Sequence, residues 1–95
     1  MHNILVVSEL RSYMTMAIEE NLKNADYRVY NEGTDITAIS ELDVDISAIL
    51  LYVDADLLKK QKAMVYIKDK ALEDDIPVFA IGDSNEIEGF MSVFP

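Results

Sequence analysis

The sequence predicts an α/β domain built on a parallel sheet of four strands. Two observations carry that prediction. Short apolar runs rich in Val, Ile and Leu recur at residues 3–7, 46–53 and 78–81, the pattern of strands covered on both faces. Between them run longer stretches with an apolar residue at every third or fourth position, which is the helical period. Helices that alternate with strands require parallel neighbours, right-handed crossovers and helices on both faces of the sheet.

Asn3–Val7 reads as the first strand, a β-branched and Leu run. The helix after it carries Leu10, Met14, Ile18, Leu22 and Ala25 on its inner stripe, with Arg11, Glu19, Glu20 and Lys23 pointing elsewhere. Ser8 is read as an N-cap, and Met14, Met16 and Met64 as core filler. Asn24-Ala25-Asp26 stops the helix, and residues 27–30 form a short alternating strand. Asn31-Glu32-Gly33 breaks that strand, and Thr34 caps a short helix bearing Ile36, Ile39 and Leu42. The most apolar stretch, residues 46–53, is the central strand. One helix then carries Leu57, Met64, Ile67 and Ala71 inward, and Asp74-Asp75-Ile76-Pro77 turns the chain into a fourth buried strand, Val78–Ile81. Asp83 and Glu86 have the spacing of a capping box that opens a last helix through Phe90. There is no internal repeat and no linker.

Composition narrows the functions. A chain of 95 residues is a single domain. Its 18 acidic and 8 basic residues give a net charge of −10, which opposes nucleic-acid backbones and anionic membrane surfaces. Without cysteine there is no disulfide, thiolate metal site or thiol nucleophile, and the single histidine, His2, excludes a histidine metal cluster or a Ser-His-Asp triad. No run reaches the length of a membrane span and no signal peptide is present, so the expected compartment is the cytoplasm. Gly33, Gly82 and Gly89 stand alone and form no phosphate loop, and no nucleophile has a base beside it. The chain is therefore not expected to be an enzyme. Lys59, Lys60 and Lys62, its one basic cluster, read as a solvated helix face.

In parallel α/β sheets, ligands bind at the carboxyl ends of the strands, here Ser8-Glu9, residues 52–56 and Gly82-Asp83-Ser84. Four segments in their order resemble the receiver domains of bacterial two-component response regulators: Ile4-Leu5-Val6-Val7-Ser8-Glu9, Glu20-Asn21-Leu22-Lys23-Asn24-Ala25-Asp26-Tyr27, Ile46–Tyr52, and Asp75-Ile76-Pro77-Val78-Phe79-Ala80-Ile81-Gly82. The resemblance implies a flavodoxin-like, three-layer α/β/α fold with strand order 2-1-3-4. It covers four of the family's five βα units. The fifth strand, its lysine and the last helix have no counterpart here, so the chain is expected to be the N-terminal part of a longer protein or a truncated domain.

Receivers hold Mg²⁺ with two adjacent acids after the first strand and accept a phosphoryl group on an aspartate ending the third. A hydroxyl residue ending the fourth strand and a lysine ending the fifth bind the phosphoryl oxygens. Carried over by position, the acidic pair becomes Ser8 and Glu9, the acceptor becomes Tyr52, and the hydroxyl position becomes Gly82. A phenol with a pKa of about 10 replaces neither the acyl-phosphate acceptor nor a metal-binding carboxylate. The alternative acceptor is Asp54, two residues on, with Glu9 and Mg²⁺. The proline and glycine usual after the acceptor are missing from residues 54–58. Glu9, Asp54 and Asp56 either hold a divalent ion weakly or serve helix N-termini, with Asp54 or Asp56 as the cap of the third helix.

The resemblance thus implies a degenerate receiver, or pseudo-receiver: a signalling module that works through protein contact without phosphorylation and needs no cofactor beyond weak Mg²⁺. The competing expectations are a true phosphoacceptor receiver in a phosphorelay and, remotely, a small flavodoxin-like enzyme. Phe90, Met91, Val93 and Phe94 are the expected interaction surface, together with the edge of the fourth strand. The expected partners are a second copy, as a homodimer, or a fused output domain.

Overall fold

The computed structural model describes residues 2–9 and 12–93, and for Val93 only the backbone. The chain runs β1 (Asn3–Val7), α1 (Tyr13–Asn24), β2 (Arg28–Tyr30), α2 (Ile36–Ser40), β3 (Ile46–Tyr52), α3 (Ala55–Leu58), α4 (Gln61–Asp74), β4 (Val78–Ile81) and α5 (Ser84–Val93). The four strands form one sheet in the order β2-β1-β3-β4, and each pairing is parallel. The predicted α/β class, strand order and parallel sense are all present. Among the described residues no helix is long and apolar enough to cross a membrane.

Register decides what each face holds. Leu5 pairs with Ile49 and Val7 with Leu51, while Ile49 pairs with Val78 and Leu51 with Ala80. This face is dry across its middle, where Leu5, Val7, Ile49 and Leu51 are fully buried. Ile39 of α2, Leu57 of α3, Met64, Ile67 and Ala71 of α4 and Phe90 of α5 complete the same core. The opposite face carries Ile4 and Val6, then Ala48 and Leu50, then Phe79. Ile4 and Val6 are buried, but Phe79 is 57% exposed and Ile81 39%. β4 is therefore covered on one face only, against the expectation of a strand buried on both.

Four further expectations are corrected. The helix expected after the third strand is two helices. Lys60 opens α4 from a non-helical conformation without a side-chain cap, since an ammonium has no lone pair to accept from the first helical amides; it stands 3.5 Å from Glu9. α1 is rotated from the orientation its apolar stripe suggests: Thr15 and Glu19 are its buried side chains, and Met14 and Met16 are exposed. Ser12, not Ser8, caps α1 through a reciprocal pair with Thr15. Asp35, not Thr34, caps α2 by accepting from the Ala38 amide at 3.1 Å. Leu10, expected on the inner stripe, lies outside the described residues. The Asp83 cap on α5 is present, accepting from the Glu86 amide at 2.9 Å.

Candidate functional site

The carboxyl ends of β1 and β2 meet in a polar cluster organised by Asn31. Its Nδ2 donates at 3.4 Å to the Ser8 hydroxyl and at 3.4 Å to Glu19 Oε2, and its Oδ1 accepts from the Gly33 amide at 2.9 Å. Gly33 has φ +61°, a conformation that costs an L side chain about 1 kcal/mol or more. Ser8 and Glu19 are both buried. Their polar groups are spent on holding β1, α1 and the β2–α2 loop together, and burial of such groups demands that they be satisfied. The sequence reading missed Glu19 by placing it on the solvent side. The signal available was the polar spacing Ser12, Thr15, Glu19, on one helical face three and four residues apart.

Glu9 is the neighbouring carboxylate, and both of its oxygens are engaged. Oε2 accepts from the Thr34 hydroxyl at 2.7 Å, and Oε1 stands 3.5 Å from the Lys60 ammonium. The Thr34 bond, supported by Lys60, holds the Glu9 carboxyl below the usual carboxylate range against a smaller, opposing effect of desolvation. A depressed carboxylate pKa favours the fold above the unfolded value, and that contribution is lost as pH falls through the folded value. Thr34→Val is expected to raise the Glu9 pKa back toward the ordinary range, read from the Glu9 Cδ shift in an NMR pH titration. An unchanged titration would show that the hydroxyl is not the cause.

Beside Glu9 lies a cleft of about 440 Å³ bordered by Thr34, Lys59, Lys60 and Lys62. The lysines are exposed, but only Lys62 lies on a helix: Lys59 ends α3, and Lys60 opens α4 and pairs with Glu9. They give the cleft a cationic border.

Asp54 follows β3 and is the N-cap of α3, its Oδ1 accepting from the Leu57 amide at 2.7 Å. The cap is therefore Asp54, with Asp56 exposed in the first turn. Tyr52 pairs with Ile81 and by strand alternation shares the face of Leu50. Gly82 sits against β3: a Cβ built on it would lie 2.6 Å from the Val53 carbonyl oxygen. The backbone is closed here by Val53, whose amide donates to the Ile81 carbonyl at 2.7 Å.

These side chains do not fit a magnesium site. A hard cation asks for several free oxygen ligands, whereas Glu9 is committed to Thr34 and Lys60, and Asp54 to an amide. Among the described residues no three His, Cys, Asp or Glu side chains gather as metal ligands do. His2 lies at the far, amino end of the sheet, 3.3 Å from the Ser47 hydroxyl, with the whole of β1 between it and Ser8.

The expected interaction surface divides. Phe90 is 6% exposed and belongs to the core, whereas Met91 is 65% exposed. The Val93 side chain and Phe94 lie outside the described residues. Successive helical residues point about 100° apart, so Phe90 and Met91 cannot share a face. Gly89 brings α5 close to α3, with space for a Cβ only 3.2 Å from Leu58 Cδ1, and this seats Phe90 inward. No protein-family model, curated protein or solved structure matches the chain.

Proposed function

We propose that this domain is a cytoplasmic signal-transduction module that acts through protein contact on a flavodoxin-like, receiver-type scaffold, without being phosphorylated. The observation that carries this reading is the engagement of Asp54. Its carboxylate stands two residues beyond Tyr52, and one oxygen is held at 2.7 Å by the Leu57 amide. Capping bonds of this kind contribute about 1 kcal/mol to a helix. Attack on a phosphodonor would sacrifice that bond and would proceed without a metal site to neutralise the donor. Lys60 next to Glu9 and the closed backbone at Gly82 support the same reading, because each stands where phosphoryl chemistry needs a different group.

Acetyl phosphate with Mg²⁺ is expected to leave the intact mass of the chain unchanged, with Asp54→Asn as control. A labile phosphoryl adduct present in the parent chain and lost in Asp54→Asn would establish a phosphoacceptor receiver instead.

A further inference from the structure

Three of the eight basic residues of the chain, Lys59, Lys60 and Lys62, fall within four positions, and the fold sets all three around the cleft of about 440 Å³ beside Glu9. The rest of its lining is Thr34, Ile36, Gln61 and Ala63, so the lining holds no carboxylate. The acids next to it are already engaged. Glu9 is held by Thr34 and Lys60, Asp35 by the Ala38 amide and Asp54 by the Leu57 amide. Among the described residues neither Lys59 nor Lys62 forms an ion pair. In a chain of net charge −10 this cleft reverses the sign of the surface, and a concave site of one sign concentrates ions of the other.

The same cleft gathers unspent hydrogen-bond donors. α4 begins in its wall, and its first intrahelical bond runs from the Met64 amide to the Lys60 carbonyl at 3.0 Å. The amides of Gln61, Lys62 and Ala63 have no acceptor among the described residues. Ala63 is 5% exposed, and a backbone donor on so buried a residue is rarely left unpaired. A phosphoryl oxyanion offers the missing acceptors, and its charge meets both the lysines and the positive end of the helix. Size and position extend the argument. The volume lies within the range of small-molecule sites, about 300–1,000 Å³. Thr34 follows β2, and Lys59 and Lys60 follow β3, so the cleft opens at the carboxyl ends of the strands, where parallel α/β sheets receive ligands.

We infer that this cleft binds a small organic phosphate or pyrophosphate, with its phosphoryl oxygens between the α4 amides and the ammonium groups of Lys59 and Lys62 and its organic part against Ile36. The inference goes beyond contact signalling: the domain also takes up a small anionic ligand. The phosphoryl group is bound and not transferred, so neither Tyr52 nor Asp54 takes part.

The 95-residue chain in metal-free buffer, titrated with inorganic pyrophosphate and followed by amide NMR shifts, tests this assignment. The Lys62 and Ala63 amides are expected to shift saturably. Acetate at matched ionic strength should bind at least about ten-fold more weakly, having one charge and one pair of acceptor oxygens, and added salt should weaken the pyrophosphate complex. Lys59→Gln together with Lys62→Gln, both at exposed positions, should reduce pyrophosphate affinity about ten-fold or more. Pyrophosphate should raise the Tm of the parent chain, by mass action on the native state, and leave that of the double variant nearly unmoved. Lys68→Gln, on α4 but outside the cleft, should bind as the parent does. The assignment is overturned by the absence of a saturable shift at Lys62 and Ala63, or by acetate binding as tightly as pyrophosphate. Equal losses in Lys68→Gln and in the double variant would also overturn it, by showing a general response of surface charge. A phosphoryl adduct on Asp54 would defeat the contact reading without touching any of these outcomes.

Discussion

Phe90→Ala is expected to lower the unfolding free energy by about 3–5 kcal/mol, the usual cost of deleting a buried aromatic side chain. Phe90 is the anchor of α5: it is buried with Leu57, Met64 and Ile67 in the main core, while Gly89 permits the close approach to Leu58. Without the ring, α5 keeps the half-buried Ile87 but loses its largest buried contact. Urea denaturation measures the change as a lower midpoint at similar slope. Met91→Ala, at an exposed neighbouring position, should stay within about 0.5 kcal/mol. Equal effects at the two positions would mean that α5 is not held by Phe90. The pair of variants separates packing from surface in a segment where sequence alone joined them.

The second large effect is expected at Gly82. Gly82→Ala and Gly82→Thr should both destabilise by about 1–3 kcal/mol, because an added Cβ meets a backbone carbonyl oxygen and not a movable side chain. For a domain of this size that is a fall in Tm of about 4–8 °C per kcal/mol, readable by calorimetry. Similar losses for Ala and Thr would place the clash at Cβ. A Thr variant as stable as the parent would show that β3 and β4 separate easily, and that a hydroxyl at this position is tolerated.

The sheet was legible because its inner strands carry apolar runs: β1 buries Ile4 to Val7 on both faces, and β3 buries Ile49 and Leu51 on one face and half-buries Ala48, Leu50 and Tyr52 on the other. β4 has the same kind of run for a different reason. Its Val78 and Ala80 face the core, while Phe79 and Ile81 face the uncovered side. Periodicity reports which residues are apolar, not whether a wall exists to cover them. The same limit misplaced α1. Its stripe through Met14, Ile18 and Leu22 is real, but the helix buries Thr15 and Glu19 because Asn31 and the Ser12 cap hold that side down. Caps were read to within a few residues and no better. Thr34 and Asp35 are adjacent and chemically equivalent as caps, as are Asp54 and Asp56 two apart, and only the path of the backbone chooses between them. The break between α3 and α4 has no Pro or Gly to announce it. It falls at Lys59 and Lys60, where the C-cap of α3 meets the N-cap of α4, and nothing in the local sequence marks it.

The four residues of β4 also bear on solubility during folding. An uncharged, β-branched and aromatic edge strand is a template on which like chains add strand by strand. Its shortness limits that growth, and the residues around it act as gatekeepers. Pro77 has no amide hydrogen to extend the ladder at one end, and Asp83 places a charge beyond the other, anchored as the cap of α5. Asp83→Ala therefore removes a cap and a gatekeeper together, and concentrated refolding is the condition in which the second loss becomes visible.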